Sequence, residues 1–264
     1  MDFLLHIMAG AFVGFAIGVT GVGGGSLMTP LLLVFGYSPP VAIGTDLLYA
    51  AITKANGVYA HHKRGNVNWK IVYILASGSI PISLGLHAFY LDTSFQDSSD
   101  FEQLLTKYLG IMLIVTSIIL ILKDYIRKKS VEEKPAFFMI PLHKHRSIIT
   151  WLMGMLLGFC VTLSSVGAGA FGAAILLTIY SQTSVVKVIG TDIAHAVPLT
   201  LIAGLGYFVA GFVDILLLIG LLIGSLPAIH FGSKISSKVP DKLLQHILAV
   251  ILFSLGVLYS IRSC

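Results

Sequence analysis

The sequence predicts an all-α polytopic membrane protein built from two inverted structural repeats, each a re-entrant, broken helical hairpin followed by three transmembrane helices. Two observations carry this prediction. The first is composition, since 56% of the 264 residues are hydrophobic and 11% are charged, whereas an ordinary soluble domain is about 25% charged. The second is an internal repeat, in which the same short motifs occur once in each half of the chain.

The distribution of charge excludes most soluble functions. Between Asp2 and Asp46 the chain carries no Lys, Arg, Asp or Glu, and such a stretch requires a hydrocarbon environment. It lacks the basic start of a signal peptide, so we expect it to be mature structure. The net charge of +5 comes from short basic segments between apolar stretches, a pattern typical of cytoplasmic loops. Nucleic acid is therefore not an expected partner.

Eight apolar segments are predicted, and two of them are too long for a single crossing. A helix of about 33 residues would be about 50 Å long, whereas the hydrocarbon core of a bilayer is about 30 Å thick. The segments at 4–36 and 148–180 have this length, and each contains a glycine-rich interruption, at 18–26 and 164–169. The other six segments are 41–61, 69–91, 104–122, 184–209, 213–232 and 243–262.

The two interruptions belong to a set of motifs that recur in the same order. With two residues inserted after the glycine-rich cluster, one alignment brings all of these motifs into register. The matching pairs are 14–15 with 158–159, 22–25 with 166–169, 43–46 with 189–192, and 78–81 with 224–227. Several matches in one order indicate an internal duplication, as many transporters have.

The positions of Lys and Arg favour an inverted arrangement of the two halves. If each long segment enters and returns on one side, each half keeps three crossings. With the linker 123–147 in the cytoplasm, this arrangement puts fourteen of the 17 Lys and Arg inside, two outside and Lys54 in the membrane. Eight simple crossings put eleven inside and five outside, which the positive-inside rule disfavours. We therefore predict a first repeat at 1–122, a second at 148–264 and both termini outside.

The glycine-rich interruptions predict a binding site inside the membrane. Irregular backbone is tolerated at membrane depth only where protein buries it or where it lines a water-filled cavity. Each interruption precedes a half-helix, near Ser26 and Ala170, whose free N–H groups favour a small oxyanion. The alternative, that the glycines serve close helix packing, is preferred for isolated glycines. The candidate substrate-binding residues are Thr20, Gly21, Gly23, Gly24, Gly25, Ser26, Ser164, Ser165, Gly167 and Gly169.

Four polar side chains within the apolar segments are candidates for ion coupling or for the substrate pathway. Ionisable groups are costly inside a bilayer and therefore point to function. Lys54 is predicted to attract an anion or to pair with a carboxylate across the repeat interface, or else to snorkel to the surface. Asp46 and Asp192 either cap the helices that carry them or bind coupled protons. His195 is either a hydrogen-bonded interior residue or a second proton carrier.

Taken together, these motifs resemble those of the TauE/SafE (sulfite exporter TauE-like) family of membrane permeases. The resemblance rests on the cluster 22–25 with the following Leu-Met-Thr-Pro at 27–30, on Gly-Thr-Asp at 44–46, and on the counterparts in the second half. It implies transport, here expected to be export, of small sulfur-containing anions such as sulfite, sulfoacetate or other organosulfonates in prokaryotic cells. The second half departs from the pattern at Ala168 and has no counterpart of Pro30.

Three classes of function remain open from the sequence. A secondary carrier with alternating access and proton or ion coupling is favoured, since no ATP-binding signature is present. An anion channel would need a continuous polar lining, unless carbonyl groups supply it. An intramembrane enzyme would need a nucleophile and a base, and only Ser164 or Ser165 with His195 is visible, so no enzymatic activity is expected.

The expected partners and cofactors follow from the same observations. The chain should contact a small anionic substrate and the lipid bilayer of the cytoplasmic (inner) membrane, and a homodimer is one option for its assembly. Cys160 and Cys264 lack metal-ligand spacing, so neither a metal site nor a cofactor is expected.

Overall fold

The computed structural model describes residues 3–20, 27–90, 99–132, 145–167, 169–180, 182–235 and 241–262. Over these ranges it contains ten α-helices and no β-strand. The all-α prediction is therefore confirmed.

Each half of the chain contains the same succession of helices: one long, one short and three long. The first half consists of α1 (Phe3–Thr20), α2 (Met28–Val34), α3 (Pro39–Lys63), α4 (Trp69–Tyr90) and α5 (Ser99–Glu132). The second half consists of α6 (Arg146–Ser164), α7 (Ala170–Ile179), α8 (Val185–Val209), α9 (Ile215–Ile235) and α10 (Asp241–Arg262). Helices α1 to α5 thus correspond in order to α6 to α10, and α5 continues past residue 122 into the predicted linker.

Five helices are long and apolar enough to cross a membrane, as counted over the described residues. These stretches are Trp69–Ala88, Gln103–Leu122, Arg146–Ser164, Val185–Val209 and Ile215–Lys234, and α1 and α10 add shorter apolar stretches. The chain is thus a multi-pass membrane protein. Helix α3 is absent from this set, although 41–61 was predicted to cross. Its polar residues explain the difference, because Asp46 and Lys54 are buried within the bundle and need no contact with lipid.

Both interrupted segments fold into hairpins whose ends lie together. In the first half, His6 Nε2 near the start of α1 lies 2.8 Å from Tyr37 Oη just after α2. In the second half, Thr150 Oγ1 near the start of α6 lies 2.8 Å from Tyr180 Oη at the end of α7. A segment that crossed the bilayer would separate such ends by about 30 Å. Each segment therefore folds back on itself, which agrees with the predicted hairpins, although α6 alone is long enough to cross a membrane. Whether the hairpins are re-entrant in the bilayer stays a prediction.

Isolated glycines bring the helices of the two hairpins close to the opposite half. Helix α1 packs on α9, and α4 packs on α6. A Cβ at Gly14 would lie 2.6 Å from the Cα of Ser225, and a Cβ at Gly78 would lie 2.5 Å from the carbonyl oxygen of Trp151. Only glycine permits backbones to approach so closely. The packing role preferred for isolated glycines is confirmed at these positions.

Equivalent helices of the two halves pack antiparallel. Where α3 meets α8, Gly44 near the start of α3 lies against Tyr207, and Gly57 further along lies against Ile193. The contacts of α5 with α10 run in the same opposed sense. Two halves of the same orientation would place equivalent helices parallel, so this packing is the one that an inverted duplication requires. The orientation of the halves across a bilayer stays a prediction.

Candidate functional site

The Asp46 carboxylate lies where the two hairpins meet. Its Oδ2 accepts hydrogen bonds from the backbone N–H of Thr29 (3.2 Å), from the Thr29 hydroxyl (2.5 Å) and from the Ser165 hydroxyl (3.0 Å). Its Oδ1 has no hydrogen-bond partner among the described residues, and the side chain is 0% exposed. Because Thr29 lies in the first turn of α2 and Ser165 follows α6, one carboxylate oxygen joins the hairpins of both halves.

Asp46 and Asp192 do not cap the helices that carry them, which corrects the capping prediction. Helix α3 begins at Pro39 and α8 at Val185, so each aspartate lies about two turns inside its helix. Asp46 instead binds the N–H of Thr29 at the start of the neighbouring short helix. The carboxylate therefore caps a helix, but one that is not its own.

Asp192 occupies the equivalent place in the second half and has different neighbours. Its side chain is 2% exposed, and its Oδ1 lies so close to Gly172 in the first turn of α7 that a Cβ there would overlap with it. The counterpart of Thr29 is Ala173, which has no hydroxyl. Asp192 thus faces its short helix without the side-chain donor that Asp46 has.

Lys54 is buried between the two carboxylates, with 7% of its surface exposed. Its charge is attracted by the carboxylates of both Asp192, across the repeat interface, and Asp46, on the same helix. Such burial argues against the snorkelling alternative, since a snorkelling lysine keeps its ammonium group in water. The predicted pairing of Lys54 with one carboxylate across the interface stays a prediction.

His195 lies one turn beyond Asp192 and contacts helix α4. Its Nε2 is 2.8 Å from the Ser79 hydroxyl, and both side chains are buried. The counterpart of His195 in the first half is Tyr49, which lies beside Ser225, the counterpart of Ser79. The contact is the one expected of a hydrogen-bonded interior residue, while a role as proton carrier stays a prediction.

The second interruption has an unusual backbone. Ser165 has a φ of 56°, and Gly167 and Gly169 have φ of 112° and 124°. For a residue with a Cβ, the left-handed conformation is costly and is often held at functional sites. Helix α7 then begins at Ala170, as predicted. The backbone is therefore interrupted where the sequence indicated, and its one strained non-glycine residue among the described positions is the donor to Asp46.

The hydroxyls proposed for substrate binding or nucleophilic chemistry are engaged in separate contacts. Ser164 donates to a backbone carbonyl one turn earlier and accepts from a nearby N–H. Ser165 donates to Asp46, while His195 contacts Ser79. The structure therefore does not pair either serine with the histidine.

The candidate residues of the first interruption are largely outside the described part of the chain. Gly21, Gly23, Gly24, Gly25 and Ser26 lie outside the described residues, as does the side chain of Thr20. Helix α2 begins at Met28, and the predicted helix break at 18–26 lies mostly outside the described residues.

Two features of the site were missed by the sequence reasoning. Thr29 was quoted as part of a motif but was not proposed as a functional residue, although it supplies two of the three donors to Asp46. The second is that Thr45 and Thr191 cap loops of the opposite half. Asp214 N–H donates to Thr45 Oγ1 (3.4 Å), and Asn68 N–H donates to Thr191 Oγ1 (2.9 Å). The sequence signal for these paired threonine contacts was the Gly-Thr-Asp motif, which occurs in both halves.

The arrangement at the centre contains groups that can exchange protons. Two carboxylates and one ammonium group are buried there, and their charges sum to −1 when all three are ionised. No cluster of three or more His, Cys, Asp or Glu that could hold a metal ion occurs among the described residues.

Comparison with known proteins gives matches along the whole chain. Residues 6–259 match the family described as Sulfite exporter TauE/SafE. The chain is 37% identical over 252 residues to the probable membrane transporter protein YjnA of Bacillus subtilis (strain 168), which covers 95% of this chain and 97% of the relative. It is 28% identical over 276 residues to the probable membrane transporter protein MJ0441 of Methanocaldococcus jannaschii, with 97% and 96% covered. No solved structure matches the chain.

Proposed function

The chain belongs to the sulfite exporter TauE/SafE family, and from this premise we propose that it is a secondary carrier of small sulfur-containing anions. The proposed substrates are sulfite, sulfoacetate and other organosulfonates, and the proposed direction is export across the cytoplasmic (inner) membrane. Relatives of similar length are named as probable membrane transporters, which supports transport as the general activity.

One observation supports the anion specificity and the carrier mechanism together. A carboxylate oxygen of Asp46 accepts three hydrogen bonds, from the N–H and hydroxyl of Thr29 and from the hydroxyl of Ser165. Donors that surround a carboxylate oxygen would also suit an oxygen of a sulfite or sulfonate group once they are released from Asp46, because both are oxyanions. Since these donors come from both hairpins, contacts at this point change whenever one hairpin moves against the other.

We also propose that the two halves are inverted and alternate in opening to the two sides of the membrane. The antiparallel packing of α3 with α8 supports this topology, as does the clustering of Lys and Arg in loops assigned to the inside. Both termini are then extracytoplasmic and the linker 123–147 is cytoplasmic.

Cysteine labelling tests this topology. In a background with Cys160 and Cys264 replaced by serine, Lys238→Cys should resist an impermeant thiol reagent added to intact cells and should react after permeabilisation. Ala210→Cys lies in the loop between α8 and α9, which the inverted arrangement places outside, and it should react in intact cells. Labelling of both cysteines from outside would overturn the inverted arrangement.

Counterflow in proteoliposomes tests the transport mechanism. Vesicles loaded with unlabelled sulfite or sulfoacetate are placed in a trace of the same labelled anion, and protein-free vesicles serve as the control. A carrier should accumulate label transiently in exchange for internal anion. A channel for small oxyanions would let label equilibrate without this stimulation, and that outcome would replace the carrier by the channel. No protein-dependent flux of any anion in a panel of sulfur oxyanions and sulfonates would refute the substrate assignment.

A further inference from the structure

We infer that the anion moves between the centre of the protein and the C-terminal end of α4 along the polar side chains of that helix, and that His87 binds the anion at the end of this path. The inference rests on the proposed function and deepens it by assigning a substrate contact outside the two hairpins. In the proposed topology the C-terminal end of α4 is extracytoplasmic.

Helix α4 has a buried polar face. Ser79, Ser83 and His87 follow one another at intervals of four residues, so their side chains lie one above the other on one side of the helix. Ser79 and Ser83 are 0% exposed, and His87 is 8% exposed. At 1.5 Å per residue the three positions span about 12 Å, more than a third of the thickness of the hydrocarbon core.

The two serines of this face contact helices of the second half. The Ser79 hydroxyl is 2.8 Å from Nε2 of His195 on α8, and the Ser83 hydroxyl accepts a hydrogen bond from the Thr162 hydroxyl on α6 (2.9 Å). The polar face therefore begins beside His195 at the centre and continues away from it between α6 and α8. In this conformation the face is closed, and passage of an anion requires α4 to separate from these two helices.

The backbone of α8 provides a place for the ring of His87. The ring packs edge-on against Tyr207, with the centroids 5.4 Å apart. A Cβ at Gly206 would overlap with the imidazole, at 2.4 Å from its Nε2, so glycine at this position leaves room for the ring. The imidazole thus lies directly on the backbone of α8, at the far end of the polar face.

Two polar atoms on the face are left for a ligand. Nε2 of His87 is buried and has no hydrogen-bond partner among the described residues. The Ser83 hydroxyl accepts from Thr162, and within the described ranges no group accepts a hydrogen bond from it. A polar group without a partner is unfavourable in a protein interior and requires an explanation. An oxyanion that moves along α4 gives both atoms a partner.

The chemistry of His87 suits an oxyanion that arrives with a proton. The ring also hydrogen-bonds to the backbone of Ala203, which leaves Nε2 for the ligand. A protonated imidazole donates through both nitrogens and holds an oxyanion oxygen at Nε2. A neutral imidazole instead accepts at Nε2 from the O–H of a protonated oxyanion such as hydrogensulfite. Both descriptions give a complex of the same composition, one anion and one proton.

The second half lacks this polar face. The counterparts of the three residues on α9 are Ser225, Ile229 and Ser233. Ile229 interrupts the polar series, and Ser233 is exposed and donates to the carbonyl of His230 in its own helix (2.9 Å). The polar face of α4 is thus a feature of one half, as expected of a substrate contact rather than of the packing that both halves share.

Cysteine accessibility tests the path. In the background without Cys160 and Cys264, Ser83→Cys is treated in proteoliposomes with 2-sulfonatoethyl methanethiosulfonate, a small sulfonate that reacts with thiolates in water. Ser83→Cys should react, and sulfoacetate at ten times its half-saturating concentration should slow the reaction about tenfold. Ser77→Cys is the matched control, because Ser77 is an exposed residue of the same helix. Lipid should protect it from the reagent. An unreactive Ser83→Cys, or one no more reactive than Ser77→Cys, would overturn the inference.

Replacement of His87 tests the binding role by counterflow of sulfite and sulfoacetate. His87→Phe keeps a ring against Tyr207 but removes both nitrogens, and it should raise KM about tenfold or more, because a hydrogen bond to a charged group is lost. His87→Gln retains a polar group and should restore part of the affinity, which a purely structural role of the ring would not predict. His230→Phe, at an exposed histidine of α9, is the matched control and should keep the wild-type KM.

The outcomes separate this inference from the proposed function. An unchanged KM in His87→Phe, or a KM in His87→Gln no lower than in His87→Phe, would refute the assignment of His87. If His87→Phe does not fold, the KM of His87→Gln and the accessibility of Ser83→Cys still decide. Sulfoacetate that is transported by the wild type without protecting Ser83→Cys would refute the path. Absence of sulfite and sulfoacetate counterflow in the wild type would refute the proposed substrates, and the reactivity of Ser83→Cys relative to Ser77→Cys would still test the path.

Discussion

The hydrogen bond between Ser165 and Asp46 gives a prediction whose size can be worked out from the structure. Ser165→Ala removes a hydroxyl that lies 3.0 Å from a buried carboxylate oxygen, and a hydrogen bond to a charged group contributes about 1.5–3 kcal/mol. Alanine retains the Cβ and therefore the cost of the left-handed conformation at φ 56°. We expect Ser165→Ala to lower the free energy of unfolding by about 1.5–3 kcal/mol when Asp46 is ionised.

Ser165→Gly separates the contribution of the hydrogen bond from the cost of the left-handed backbone conformation. It loses the same hydrogen bond, but it relieves the left-handed conformation, which costs about 1–2 kcal/mol for a residue with a Cβ. Part of this gain, about 0.4–1 kcal/mol, is offset by the greater freedom of glycine in the unfolded chain. The glycine variant should therefore be more stable than the alanine variant by roughly 1 kcal/mol.

Unfolding in mixed micelles with increasing SDS, followed by circular dichroism, measures both differences. The expected order of stability is wild type, then Ser165→Gly, then Ser165→Ala, with the differences from wild type shrinking at a pH where Asp46 is protonated. Ser83→Ala is the matched control, because Ser83 is equally buried and accepts a hydrogen bond from the neutral Thr162 hydroxyl (2.9 Å). Its effect should not depend on pH. A Ser165→Ala variant as stable as wild type at high pH would refute the reasoning.

Two further predictions concern helix packing and the mouth of the first hairpin. Gly78→Ala should destabilise the protein by about 1–3 kcal/mol, because the new Cβ would lie 2.5 Å from the Trp151 carbonyl oxygen. Gly85→Ala on the same helix meets nothing within 4 Å. It should be stabilising by up to about 1 kcal/mol in the same unfolding measurement, because glycine is unfavourable inside a helix. Burial, and secondly the charge of Asp214, raise the pKa of Tyr37, so the stability linked to its protonated form should be complete below pH about 10 and lost as the pH rises further. Unfolding measured across this range should show that loss in the wild type and not in Tyr37→Phe; equal losses in both would contradict it.

The hairpins could be predicted from the sequence because they follow from lengths. A continuous helix over 148–180 would exceed the bilayer thickness, and the glycine-rich cluster within it fixed where the chain had to break. The structure places the end of α6 at Ser164 and the start of α7 at Ala170, in agreement with that reasoning. The same holds for glycines at helix contacts, because a residue without a Cβ in an apolar helix commonly marks a close approach of backbones.

The hydrogen-bond partners of Asp46 could not be predicted, because they are distant in the sequence. Thr29 is 17 residues away and Ser165 is 119 residues away, while the capping prediction considered only the helix that contains the aspartate. Local patterns report on a residue's own helix, and the contacts between halves depend on how the helices assemble. The failure of α3 to qualify as an apolar span has the same origin, since its polar residues are buried by other helices rather than by lipid.

Some equivalent positions of the two halves have kept the same residue and others have not, and the two kinds of position differ in what they do in the structure. Thr45 and Thr191 are retained because each caps a loop of the other half, so loss of either would leave a backbone N–H without its acceptor. The positions around the two aspartates have diverged, with Thr29 replaced by Ala173. With the alternating access proposed above, the two halves would present different environments for a proton in the two states. A proton that is bound in one state and released in the other can drive transport of a substrate. A fully symmetric centre would bind the proton equally well in both states and could not couple it to transport.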